Sequence, residues 1–139
     1  MSQYEVTARG PRRSFKITAE LTEGFAGRGR VTHHALTLHA IIEQWMKEQI
    51  LAGNVFLSGH VTETTLHYVS VQDGIPVLTG GPTVNYEGEV SVRRLKEVPD
   101  EIIIEALNNL AAQIAEGLNQ QYVIVSYRDE TWSLERSPA

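Results

Sequence analysis

Arg12-Arg13-Ser14-Phe15-Lys16-Ile17-Thr18-Ala19-Glu20-Leu21-Thr22 alternates along its length. Phe15, Ile17, Ala19 and Leu21 share one parity; Lys16, Thr18, Glu20 and Thr22 share the other. Side chains of a strand point to opposite faces in turn, so period two with one apolar face reads as a half-buried strand. Its apolar face needs a cover, and its polar face is open to solvent or to a partner.

The cover is supplied by two segments of helical period. From Thr32 to Ala52, Leu38, Ile41, Ile42, Trp45, Met46 and Ile50 recur at spacings that form a wide apolar stripe. Thr32 is the expected N-cap, and Gly53-Asn54 the expected stop. A second helix opens at Val98-Pro99-Asp100-Glu101, where proline and acids suit an N-terminus. Ile103, Leu107, Leu110, Ile114 and Leu118 form its core stripe.

Three further regions read as strand. Val55 to Val71 is rich in β-branched and aromatic residues but exceeds a typical strand, so a bend is expected at Ser58-Gly59 or Glu63-Thr64. Asp73-Gly74 is a tight-hairpin signal, and Gly80-Gly81-Pro82 is expected to break the chain again. Thr83 to Arg93 alternates, with Val84, Tyr86, Val90 and Val92 inward. Gly88 falls in the inward series, which points to a bulge or to the close approach of another backbone. Tyr122 to Tyr127 is a short last strand that Trp132 and Leu134 extend. Residues 1–11 read as an edge strand or a loose arm.

The order strand, helix, strands, helix, strand calls for two layers, both helices lying on one face of a mainly antiparallel sheet. We expect one domain over residues 1–139 with an α+β, ferredoxin-like fold. Its open face would carry Lys16, Thr18, Glu20, Asn85, Glu87, Glu89 and Ser91, and a second subunit is expected to cover that face as a homodimer. The plan β–α–β–β–α–β, with Leu110–Leu118 running into Tyr122–Val125, is similar to small ferredoxin-like families that include the tautomerase superfamily. That resemblance would imply a catalytic proline directly after the initiator methionine. Ser2 stands there, so neither the activity nor any residue is carried over.

Composition narrows the function classes. The chain has 139 residues, no cysteine and a net charge of −5. Thiolate metal sites and cysteine nucleophiles are excluded, and a mildly acidic surface argues against nucleic-acid binding. The start, Met1–Val6, carries no apolar targeting region, and no apolar run reaches membrane length; we expect a cytoplasmic protein without a membrane partner.

The stretch richest in chemistry is Gly24-Phe25-Ala26-Gly27-Arg28-Gly29-Arg30-Val31-Thr32-His33-His34. A glycine-rich turn before a helix offers unpaired N–H groups to an anion, and arginines clamp phosphate or carboxylate. It matches neither the Walker A nor the dinucleotide fingerprint. We therefore expect an oligomeric binding module for an anionic small molecule, phosphate- or carboxylate-bearing, held by Gly27, Arg28, Gly29, Arg30, His33 and His34. One alternative is a protein-interaction or regulatory adaptor using the open sheet face. The other is a metal-independent acid–base enzyme using His33 or His34 with Arg28 or Arg30. Binding ranks above catalysis, and no cofactor, metal or catalytic set is expected. His60 and His67 would face each other across a turn at Glu63-Thr64, a pairing that could hold a metal ion. Glu87 and Glu89 share a strand face, more simply read as solvated.

Overall fold

The computed structural model describes residues 2–24 and 31–137. Elements follow the order β1 (Ser14–Glu20), α1 (Ala35–Ala52), β2 (His60–Gln72), β3 (Ile75–Glu89), α2 (Asp100–Gly117), β4 (Tyr122–Tyr127) and β5 (Glu130–Glu135). One five-stranded sheet runs β2-β3-β1-β4-β5, and all its pairings are antiparallel. The first four strands stand in the ferredoxin-like order, with β5 added outside β4. This is the expected α+β two-layer architecture.

β1 lies at the centre because its inward side chains meet both helices. Phe15, Ile17 and Ala19 join Val84, Tyr86, Val123, Val125 and Tyr127 on the covered face. Leu38, Ile42 and Trp45 of α1 and Ile103, Leu107, Leu110 and Ile114 of α2 close the core from above. Each fully buried side chain of this size is worth about 1.5–3 kcal/mol of transfer free energy. Two buried polar tips are satisfied: Trp45 Nε1 donates to Asn109 Oδ1 at 2.8 Å, and Tyr86 Oη donates to the Leu57 carbonyl at 2.6 Å.

Several sequence expectations change in detail. α1 begins later than Thr32: His34 is the N-cap, its Nδ1 accepting from the Leu36 N–H, while Thr32 bridges to Thr22. Ile50 is exposed, because the end of α1 runs past the sheet. β2 does not bend at Glu63-Thr64; it runs unbroken to the Asp73-Gly74 turn, where both residues take positive φ. Nor does Gly80-Gly81-Pro82 end a strand, since β3 continues through it. At Gly80, φ is 117°, and a Cβ there would lie 2.2 Å from the Leu66 carbonyl oxygen, so only glycine lets the two strands stay paired. Gly88 marks a close approach, as its position in the inward series suggested: an added Cβ would sit 2.9 Å from the Ser58 carbonyl oxygen. Trp132 and Leu134 belong to a separate strand, β5, which folds back on β4 after Arg128. Residues 3–12 form no strand.

β2 and β3 are longer than the sheet they join. Only Thr83–Glu89 of β3 pairs with β1, whereas Ile75–Pro82 pairs with β2 alone. The outer half of the hairpin is thus a two-stranded arm. Val69, Val71, Ile75 and Leu78 on it are exposed, Leu78 at 85%. No helix among the described residues is long and apolar enough to cross a membrane.

Candidate functional site

The open face of the sheet carries a cavity of about 320 Å³ lined by Lys16, Thr18, Glu20, Thr64, Leu66, Thr83, Asn85, Tyr122 and Ile124, among others. Its placement follows from register. Thr18 lies between Asn85 on β3 and Ile124 on β4, and Glu20 faces Thr83, which in turn faces Thr64. All of these share the parity opposite to the core residues, so they converge on one polar surface.

The floor is a ladder of small hydrogen-bonding groups. Thr18 Oγ1 donates to Asn85 Oδ1 at 2.6 Å, and the Thr64 and Thr83 hydroxyls bond across β2 and β3. At its end stands Glu20. Its Oε1 is shielded from solvent and, among the described residues, has no hydrogen-bond partner. Burial pushes this carboxyl above the usual range, since the charged form has lost water and gained nothing. Burial also raises the Tyr122 hydroxyl, and the charges of Glu20 and Tyr68 add to the rise. A carboxylate oxygen shielded from water without a partner costs free energy, and such atoms persist at places where a ligand supplies the missing contact.

Of the residues expected to hold an anion, Gly27, Arg28, Gly29 and Arg30 lie outside the described residues. The structure gives the two histidines separate tasks. His34 caps α1. His33 Nε2 lies 2.7 Å from Glu23 Oε2, while Asn119 Nδ2 donates to Glu23 Oε1 at 2.9 Å. The Asn119 bond, then His33, holds the Glu23 carboxyl below its ordinary range. His60 and His67 do not pair. His60 faces Glu87 and His67 faces Gly80, at positions of opposite parity on one unbroken strand. Among the described residues no cluster of three or more histidines and acids suits a metal ion.

Two solved structures share this architecture. The phage SAM lyase in complex with S-methyl-5′-thioadenosine superposes with a TM-score of 0.67 at 14% identity, over 96% of this chain and 97% of that one. The phage SAM lyase in its apo state superposes with a TM-score of 0.63 at 14% identity, over 100% of this chain and 99% of that one. No family model and no curated protein sequence matches the chain. The likeness covers the whole fold, β5 included, and the two chains are of similar size.

This finding overturns the expectation of a binding module for an anionic small molecule. The neighbours are enzymes, and the molecule bound to one of them is a nucleoside thioether with neither phosphate nor carboxylate. The adaptor and the acid–base enzyme built on His33 or His34 give way with it. The sheet-face residues were legible as an open polar surface. That Glu20 lacks a partner was not, because partners of a strand residue come from β3 and β4, far along the chain.

Proposed function

We propose that the protein is an enzyme that binds a SAM-like nucleoside sulfonium on the open face of the sheet and releases its thioether. The observation that carries this reading is the solvent-shielded, unpartnered Oε1 of Glu20. A sulfonium is a fixed cation that cannot donate a hydrogen bond. It suits a carboxylate oxygen that accepts no hydrogen bond from the described residues and offers charge alone. Tyr122, in the same cavity, supplies an aromatic face, which attracts cations and stacks on nucleobases. The Thr18, Thr64, Thr83 and Asn85 groups suit ribose hydroxyls and ring nitrogens. Lys16, on the same face of β1, suits the carboxylate of an amino-acid portion.

When one S–C bond of a sulfonium breaks, its electron pair goes to sulfur and leaves a thioether, while the released carbon either bonds the substrate's own carboxylate oxygen or gives up a proton from its neighbouring carbon to a base and becomes an alkene. The positive charge disappears. Glu20 then has no counter-charge, so product is held less tightly than substrate, which favours turnover. The same reading keeps the protein in the cytoplasm and takes it as a homodimer associating through the apolar arm.

The test is calorimetric titration of S-adenosylmethionine and S-methyl-5′-thioadenosine into wild type and Glu20→Gln. Wild type should prefer the sulfonium, and Glu20→Gln should reduce that preference by about tenfold or more, since losing a charged partner costs about 1.5–3 kcal/mol. Thioether release, followed chromatographically, should fall in parallel. Equal preference in the two proteins would refute the assignment of Glu20. Absence of sulfonium binding by wild type would refute the function.

A further inference from the structure

A second cavity, of about 240 Å³, lies at the other end of β1 and β3 from Glu20. Ser14 faces Glu89 at this end, as Glu20 faces Thr83 at the first. At ~3.3 Å per residue, the intervening strand separates the two sites by about 20 Å. The walls are the connection after α1, residues 53–58, and Glu89, Ser91, Arg94 and Leu95.

Its chemistry is two-signed. The Arg94 guanidinium lies 5.2 Å over the centre of the Phe56 ring, and among the described residues it has no carboxylate partner. Stacking occupies one face of a guanidinium and leaves its edge donors free for an anion. Glu89 lines the same cavity. Its Oε1 accepts from Ser14 Oγ at 2.8 Å and Arg12 Nε at 2.9 Å, while among the described residues its Oε2 accepts nothing. Phe56, Leu57 and Leu95 give the cavity its apolar lining. A simple anion would be opposed by Glu89 and a simple cation by Arg94. A zwitterion with an apolar tail satisfies both.

We propose that this cavity binds a free α-amino acid with an unbranched apolar side chain. The carboxylate pairs with Arg94, the ammonium with Glu89 Oε2, and the side chain lies against Phe56, Leu57 and Leu95. The volume falls just below the roughly 300–1,000 Å³ of sites for drug-sized ligands, as a ligand of amino-acid size requires. The proposal does not rest on the assignment of the sheet face.

Norleucine is the probe, titrated into the full-length protein by calorimetry at millimolar concentration. Norleucine amide lacks the carboxylate and N-acetylnorleucine lacks the ammonium. Wild type should bind norleucine and bind each derivative at least about tenfold more weakly. Arg94→Gln and Glu89→Gln should each lose about tenfold in norleucine affinity while melting as wild type does. Glu20→Gln should bind norleucine unchanged, which separates this site from the first. Three results would overturn the proposal: no norleucine binding by wild type, derivatives that bind as tightly as the free amino acid, or an Arg94→Gln protein with undiminished affinity.

Discussion

Arg13, just ahead of β1, has the inward parity that Phe15 and Ile17 follow, yet it carries a charge into the interior. It is buried because its guanidinium is fully engaged. Nη1 donates to the Val98 carbonyl and Nη2 to the Leu95 carbonyl, each at 2.7 Å, and Asp100 Oδ1 lies 3.4 Å away. Asp100 also accepts from Tyr127 Oη and from Arg128 Nη1 at 3.2 Å. The Tyr127 bond is the main cause that holds the Asp100 carboxyl below its ordinary value of 3.8, with the arginines adding to it. A depressed carboxylate contributes stability above its unfolded value and loses it as pH falls through the lower folded value. Asp100→Asn should therefore flatten the acid limb of a stability-versus-pH curve below about pH 5, measured by urea melts. An acid limb identical to that of wild type would show that the pair is inert. None of this clamp was legible in the sequence. Arg13 could be placed on the inward parity, but its partners come from the loop before α2 and from the first residue of α2, and no local spacing announces them. Glu20 was hidden for the same reason.

Elements were legible wherever one face is buried along its whole length. In α2, Ile103, Leu107, Leu110, Ile114 and Leu118 are all buried, as their spacing requires. Leu107→Ala should cost about 2–5 kcal/mol, the range for a buried leucine that leaves a cavity. A loss below about 0.5 kcal/mol in denaturant melts, the scale of a neutral surface change, would show that the stripe does not pack as described. Of the two breaks expected in residues 55–71, the one at Ser58-Gly59 holds, since β2 starts at His60, and the one at Glu63-Thr64 does not. A strand is limited by its pairing partner, and β3 is as long as β2. The start of α1 was misplaced because Thr and His can both cap, and the choice fell to the Thr22–Thr32 bridge. β5 was missed because its alternation is short and its turn uses Arg128 in a left-handed conformation, which no glycine advertises.

At the scale of the molecule, the β2–β3 arm is the least self-sufficient part. A two-stranded ribbon is marginal in water by itself, and this one leaves Val69, Val71, Ile75 and Leu78 uncovered. Exposed apolar surface of this kind marks a contact site. Multi-angle light scattering should give twice the 15.5 kDa protomer mass, and Val71→Lys with Leu78→Lys should return the protomer without unfolding it. Wild type eluting at 15.5 kDa at micromolar concentration would refute the dimer. The central place of β1 has another consequence, in time rather than in space. β1 must wait between β3 and β4, and Phe15 finds Tyr127 only after α1, β2, β3 and α2 have been made. Non-local pairing slows folding. On the ribosome, where chains grow at about 5–20 residues per second, the hairpin of β2 and β3 can form as soon as it emerges. The sheet cannot close until the last strands follow. The protein is therefore born with β1 unpaired on one edge, and the sheet closes only once β4 has emerged.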